Sequence, residues 1–309
     1  AYRYGDCVVL YRTNAQSRVL EERFVNENIP YKIVGGVNFY ARKEIKDLLA
    51  YLKTIDNAVD DLSVRRIINV PKRGIGATTI ARVQEYAAEH DMSFYDALKV
   101  VEEIPTIKRA AASKVRSFVT FIQSMRSKVP YLSLEDLMQE IIEETGYVEE
   151  LEKEETEEAQ ARIENIDELI SKMVSYSESE EFPTLGGFLE EVALIADIDN
   201  LEEGSDYVVL MTLHSAKGLE FPNVYMSGME DGLFPSFMTI TADDPMEIEE
   251  ERRLCYVGIT RAMEHLTLTS AKMRMVRGET QYHKISRFVK EIPSGLLQGS
   301  VRSERIPEE

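Results

Sequence analysis

Strand-like runs occur at both ends of this chain and nowhere between them, and no other feature constrains the fold as strongly. Residues Cys7–Tyr11 (CVVLY) are apolar and β-branched, bounded by Gly5-Asp6 and Thr13-Asn14, and read as a short buried strand. Tyr31–Val34 reads as a second strand, closed by Gly35-Gly36. Helical spacing of Val19, Leu20, Phe24 and Val25 predicts a helix over 15–28, stopped by Pro30. Ile45, Leu48, Leu49 and Leu52 predict another over 42–55. Strand runs resume only at Tyr207–Met211, Asn223–Met226 and Leu266–Thr269, and helical patterns fill residues 60–200. The economical reading is one α/β domain built from both ends of the chain and interrupted by an all-α insertion.

Composition supports two units, since 309 residues with 44% hydrophobic content exceed one ordinary domain. The two cysteines, Cys7 and Cys255, sit in apolar surroundings without CxxC spacing, and no run reaches the length of a membrane span. A cytoplasmic protein without a membrane partner is expected. The net charge of −19 is unevenly placed: 21 basic residues face 15 acidic ones over 1–134, 3 face 24 over 135–203, and 12 face 16 over 204–309. One acidic segment carries the imbalance, so the basic clusters elsewhere remain free to meet phosphates.

Three stretches carry chemistry. In VVLMTLHSAKGLEFP (208–222), an apolar strand empties into Thr212, His214, Ser215, Lys217 and Glu220, and parallel α/β sheets place ligand sites at strand carboxyl ends. The cluster offers a cation, a carboxylate for a sugar hydroxyl, and a hydroxyl and imidazole that suit a phosphodiester. In EEERRLCYVGITRA (249–262), a helix with Leu254, Val257 and Ile259 on its apolar face holds Arg261, whose guanidinium suits the spread charge of a transferring phosphoryl group. The plainer alternative is an ion pair with the acidic run. In NVPKRGIGATT (69–79), Lys72 and Arg73 precede Gly74-Ile75-Gly76 and a helix start, a pattern that fits either a phosphate-binding turn or an ordinary inter-helix turn.

TLHSAKGLEFPNVYMSGMEDGLFP followed by EEERRLCYVGITRAMEHLTLT resembles motifs V and VI of superfamily-one DNA helicases of the UvrD/PcrA/Rep type. The similarity extends to VVLYRTNAQSRVLEE, VGGVNFYARKEIKDLLAYL and NVPKRGIG, in the family's order and over nearly the whole chain.

The resemblance implies the second RecA-like motor domain, a P-loop NTPase-type parallel sheet without its own P-loop, over 1–60 and 205–293. A helical insertion over 61–204 and a disordered tail over 294–309 complete the expected organisation. No GxxxxGK[ST] occurs here. The first motor domain, absent from this sequence, is expected to supply the phosphate loop and the Mg²⁺-binding acid, so that this chain alone does not hydrolyse ATP.

By the same resemblance, Arg261 is the arginine finger toward the γ-phosphate of ATP, Glu220 meets the ribose, and Lys217 couples nucleotide to DNA. Thr212 and His214 touch single-stranded DNA, Arg42 is a DNA-side arginine, and Lys72, Arg73, Gly74, Ile75 and Gly76 grip duplex DNA ahead of a single-strand/duplex junction. No metal ligand is assigned within the chain. The implied protein is a bacterial ATP-dependent 3′-5′ helicase, with the first motor domain and repair or replication proteins as partners. The alternatives are a DNA- or protein-binding module without motor activity, and a subunit of a helicase-nuclease. Two positions depart from the family: Arg277 precedes Gly278 where an aromatic is usual, and Ser236 stands where some relatives carry histidine. Arg12, in a Tyr-Arg-Thr that mimics the family's adenine-stacking motif, is left unassigned because its context is a later strand-helix unit.

Overall fold

The computed structural model describes residues 2–197 and 206–299, so most of the expected tail and the end of the acidic segment lie outside the described residues. The chain divides into two compact units, one of residues 1–12, 208–274 and 281–309, the other of residues 13–207 and 275–280. This division places the segment 13–60, expected with the sheet, among the helices.

Five strands meet the expected runs, with β4 and β5 starting earlier than expected: β1 (Cys7–Tyr11), β2 (Tyr31–Ile33), β3 (Val208–Thr212), β4 (Phe221–Met226) and β5 (Ala262–Leu268); two short strands beyond the last expected run, β6 (Met273–Val276) and β7 (Glu279–Tyr282), were not anticipated. β2 belongs to the second unit. In the first unit β3, β1, β4 and β5 run parallel in that order. Val8, Leu10 and Tyr11 of β1 are fully buried, as a central strand covered on both faces requires. Tyr11 pairs with Thr212 and Leu10 with Met226, so the carboxyl ends of β1, β3 and β4 share one edge.

The second unit contains α1 (Ser17–Asn26), α2 (Lys43–Asp56), α3 (Asp61–Ile67), α4 (Ala77–Glu89), α5 (Phe94–Lys99), α6 (Arg109–Lys128), α7 (Leu134–Thr145), α8 (Tyr147–Glu152), α9 (Glu157–Ser179) and α10 (Leu185–Asp197). Local sequence sets their ends. Asp60, Ser93, Ser133 and Thr156 cap α3, α5, α7 and α9 through side-chain oxygens, and Gly146 closes α7 at φ +66°. Ile45, Leu48, Leu49 and Leu52 of α2 are buried, as their spacing predicts.

The expected face of α1 is corrected. Its buried residues are Ser17, Arg18 and Glu21, whereas Val19 is exposed. The buried face is polar because it feeds a network: Arg18 donates to Glu168 at 2.9 Å, Ser17 to Glu21 at 2.5 Å, and Glu21 accepts the Phe39 N–H at 3.0 Å.

The first unit adds α11 (Phe237–Thr241), α12 (Pro245–Ile259) and α13 (Arg287–Lys290). α12 begins earlier than expected, because Asp244 caps the Met246 N–H and Pro245 occupies the first turn, where its missing N–H costs nothing. The acidic run is therefore helical. α12 also ends earlier, which leaves Arg261 in the turn to β5 instead of on the helix.

Candidate nucleotide and nucleic-acid interfaces

The first candidate site is built from the loops that follow β3 and α12. Beyond Thr212 the chain makes a tight turn in which Ala216 N–H bonds back to the Thr212 carbonyl at 3.2 Å and Gly218 takes φ +86°, a conformation costly for a residue with a Cβ. The turn leaves His214, Lys217 and Glu220 exposed. Thr212 Oγ1 pairs with Ser215 Oγ at 3.0 Å and accepts the Ser215 N–H at 3.2 Å, so its hydroxyl is tied to the turn and not to the imidazole.

Arg261 locks onto this turn. Its Nη1 donates to the Leu219 carbonyl and its Nε to the Val257 carbonyl, each at 2.9 Å, while Nη2 reaches Thr260 Oγ1 at 3.0 Å. Its own carbonyl accepts the Phe221 N–H at 2.9 Å. The residue is thus bonded on both sides of Glu220. All three acceptors of the guanidinium are neutral, and the acidic run is occupied elsewhere: Glu249 with Arg252, Glu250 with Arg253, and Glu251 with Arg12 at 2.7 Å. Among the described residues no carboxylate pairs with Arg261, so its charge is positioned but uncompensated, and the ion-pair alternative does not describe it. The Glu220 carboxylate likewise has no partner among the described residues.

Gly258 lets α12 approach the sheet. A Cβ there would lie 2.5 Å from Leu213 Cδ2 and 2.8 Å from Met226 Cε, so with any larger residue these side-chain ends must shift for α12, which leads into the turn carrying Arg261, to keep its packing.

The second candidate site is the glycine loop of the helical unit. Asn69 Oδ1 accepts the N–H groups of Arg73 at 2.8 Å and Ile75 at 3.1 Å, Ile75 is buried as an anchor, and Gly74 takes φ +69°. Gly76 is the exposed N-cap of α4 and offers no side-chain cap, while its carbonyl accepts the Thr79 N–H at 3.0 Å. Lys72 is exposed. Arg73 points inward, donating to the Ile67, Val70 and Pro71 carbonyls and the Tyr51 hydroxyl, with its guanidinium 5.5 Å from the Phe118 ring centroid. Arg73 thus spends its donors within the loop. A second, exposed cation, Lys114 of α6, donates to the Gly74 carbonyl at 3.3 Å.

Arg42, expected on the DNA side, is also turned inward. It is only 7% exposed and donates to the Val37 and Asn14 carbonyls, Asn165 Oδ1 and Ser17 Oγ, with Glu21 at 3.8 Å. Its guanidinium ties together the segments of Asn14, Ser17, Val37 and Asn165 within the unit.

The family model of the UvrD-like helicase C-terminal domain matches residues 1–273. The chain belongs to that family. It is 46% identical over 305 residues to the ATP-dependent DNA helicase PcrA of Staphylococcus epidermidis, covering 98% of this chain and 42% of the relative. It is 47% identical over 302 residues to the protein of the same name from Bacillus subtilis, covering 96% and 40%. The chain thus spans about two fifths of the length of the curated relatives it matches.

Beyond the matched residues, Arg277, which precedes Gly278 where the resemblance implies an aromatic, takes φ +53° and pairs with Asp167 at 2.8 Å. Burial raises the carboxyl of Asp167, and the guanidinium opposes that shift. Sequence reading missed Lys114, Asn69 and the Leu219 and Phe221 backbone contacts. Only Asn69 had a local signal, an amide side chain just before a glycine turn. No helix of the described residues is long and apolar enough to cross a membrane, and no group of three metal-ligating side chains is found among them.

Proposed function

We propose that this chain is the C-terminal motor and insertion region of an ATP-dependent DNA helicase, a reading that the relatives' name supports, with the 3′-5′ polarity that the sequence resemblance implies. The observation that carries the reading is the fixed, uncompensated guanidinium of Arg261 bonded on both sides of the unpartnered Glu220. Such a pair suits a nucleotide triphosphate: Glu220 accepts from a ribose hydroxyl, and Arg261 directs its remaining N–H groups at phosphoryl oxygens. ATP with Mg²⁺, when bound, supplies the phosphoryl group whose hydrolysis drives the motor. The phosphate loop and the metal ligands come from the first motor domain in this reading.

Arg261 is pre-positioned by three hydrogen bonds, so little side-chain entropy is lost when it meets developing charge. Lys217 and His214 lie on the same turn as Glu220. A shift of that turn on nucleotide binding is transmitted to the strand end where Thr212 and His214 meet single-stranded DNA. In the helical unit, Lys72, Lys114, Gly74 and Gly76 hold phosphates of the duplex at the junction, with Asn69, Arg73 and Ile75 shaping the loop. The site of action is the cytoplasm, with repair or replication proteins as partners.

Unwinding of tailed duplexes by the complete protein tests this. A 3′-tailed duplex is opened with ATP and a 5′-tailed one is not; equal opening of both, or opening without ATP, contradicts the reading.

A further inference from the structure

We infer that Phe237 is a base-stacking platform for single-stranded DNA, mounted on the loop that follows β4; this rests on the DNA-track reading above. A solitary exposed phenylalanine needs no explanation, but the setting of this one does. Phe237 and its neighbour Met238 are 67% and 70% exposed at the start of α11. The loop that presents them, residues 227–236, is fastened by an unusual device. Glu230 is fully buried, and its carboxylate accepts the Ala271 N–H at 2.6 Å, Arg274 Nη2 at 2.8 Å and Arg274 Nε. Ser286 Oγ donates to the Phe234 carbonyl at 2.6 Å, and the Phe234 and Phe288 rings meet edge to face at 5.6 Å. The Phe237 N–H bonds to the Gly232 carbonyl at 3.1 Å, which joins its backbone to this mount.

A buried carboxylate is costly unless paired, so the fold commits a charged pair to holding a loop whose outward product is an exposed aromatic. A backbone mount fixed in advance suits stacking, because little backbone freedom is lost on contact.

Position and charge identify the occupant. β4 ends at Met226, which lies beside Leu10, and Tyr11 pairs with Thr212, so the loop leaves the same sheet edge that carries Thr212 and His214. Lys284, whose carbonyl accepts the Asp231 N–H at 2.9 Å, is exposed beside the loop, and Arg287 is half-exposed where it pairs with Asp231. An exposed aromatic on a loop whose base meets the Lys284 segment, on the edge proposed to track the backbone, matches single-strand recognition by stacking flanked by phosphate contacts.

The test is equilibrium binding of the full chain at low salt to a labelled oligothymidylate and to an abasic backbone of equal length. Wild type is compared with Phe237→Ala, Phe237→Tyr and His214→Ala, each checked for an unchanged melting temperature. Phe237→Ala is expected to weaken oligothymidylate binding about 5- to 100-fold and to leave abasic binding unchanged, with Phe237→Tyr restoring it. Equal oligothymidylate affinity of wild type and Phe237→Ala overturns the inference. If His214→Ala alone weakens binding, the DNA-track reading survives without this platform. If wild type binds neither oligomer, both readings fail together. Loss of self-association in Phe237→Ala at unchanged DNA affinity assigns the patch to protein contact instead.

Discussion

Arg261 is hydrogen-bonded to both neighbours of Glu220, through its guanidinium to the Leu219 carbonyl and through its carbonyl to the Phe221 N–H. The Arg261 guanidinium is therefore fixed relative to the backbone of Glu220 by these contacts and not by a salt bridge. In the proposed helicase their roles separate. Glu220→Gln in the complete protein is expected to raise KM for ATP by about 10-fold with a smaller change in kcat, the loss of one charge-assisted hydrogen bond made equally in ground and transition states. Steady-state turnover over a range of ATP concentrations checks this; a fall in kcat at unchanged KM contradicts it.

Gly258→Ala places a methyl group against Leu213 and Met226 in a packed region. The expected cost is about 1–3 kcal/mol, measured by urea denaturation of the chain. Because Leu213 adjoins His214, single-stranded DNA binding should weaken as well. Wild-type stability in the variant would show that α12 sits farther from the sheet.

The glycine loop separates cations by role. Lys72→Ala and Lys114→Ala should each weaken duplex binding and reduce its log–log salt slope by about 1, the signature of one lost phosphate contact. Arg73→Ala should instead lower stability, since its four donated bonds hold the loop and the Tyr51 hydroxyl. A stable Arg73→Ala variant with a reduced salt slope would return Arg73 to the DNA face.

The reach of sequence reasoning follows from what is local. The β1 boundaries coincide with the apolar run of Cys7–Tyr11, and α2 buries the residues its periodicity selects. The strand ends bearing Thr212, His214 and Glu220 were legible for the same reason. α1 was not, because its buried Ser17, Arg18 and Glu21 are satisfied by Arg42, Glu168 and the Phe39 N–H, partners up to 150 residues away. Gly258 reads as a helix-weakening residue until the Leu213 and Met226 side chains opposite it are known. Arg42 and Arg73 were cations beside a motif, and only the fold reveals that their donors are consumed internally. Lys114 reaches Gly74 from 40 positions away, a separation that carries no sequence signal.

Asp60 sets an acid limit on the helical unit. Its hydrogen bonds from the Ser63 hydroxyl, above all, and from the Ser63 and Leu62 N–H groups hold its carboxyl below the ordinary 3.8. A depressed folded value means that the cap contributes fully above the unfolded value and is lost as pH falls through the folded one. Asp60→Asn should therefore flatten the dependence of melting temperature on pH below about 4, near the unperturbed aspartate value, and change little at neutral pH. An unchanged acid limb would mean that the cap is not formed in solution.

If Arg261 acts on ATP while Thr212 and His214 act on DNA, ATP turnover by the complete protein at saturating single-stranded DNA separates the two roles. Arg261→Ala should lower kcat about 10³-fold or more, as removal of other arginine fingers does, with DNA affinity retained. DNA-stimulated turnover at the wild-type rate in Arg261→Ala would contradict the account.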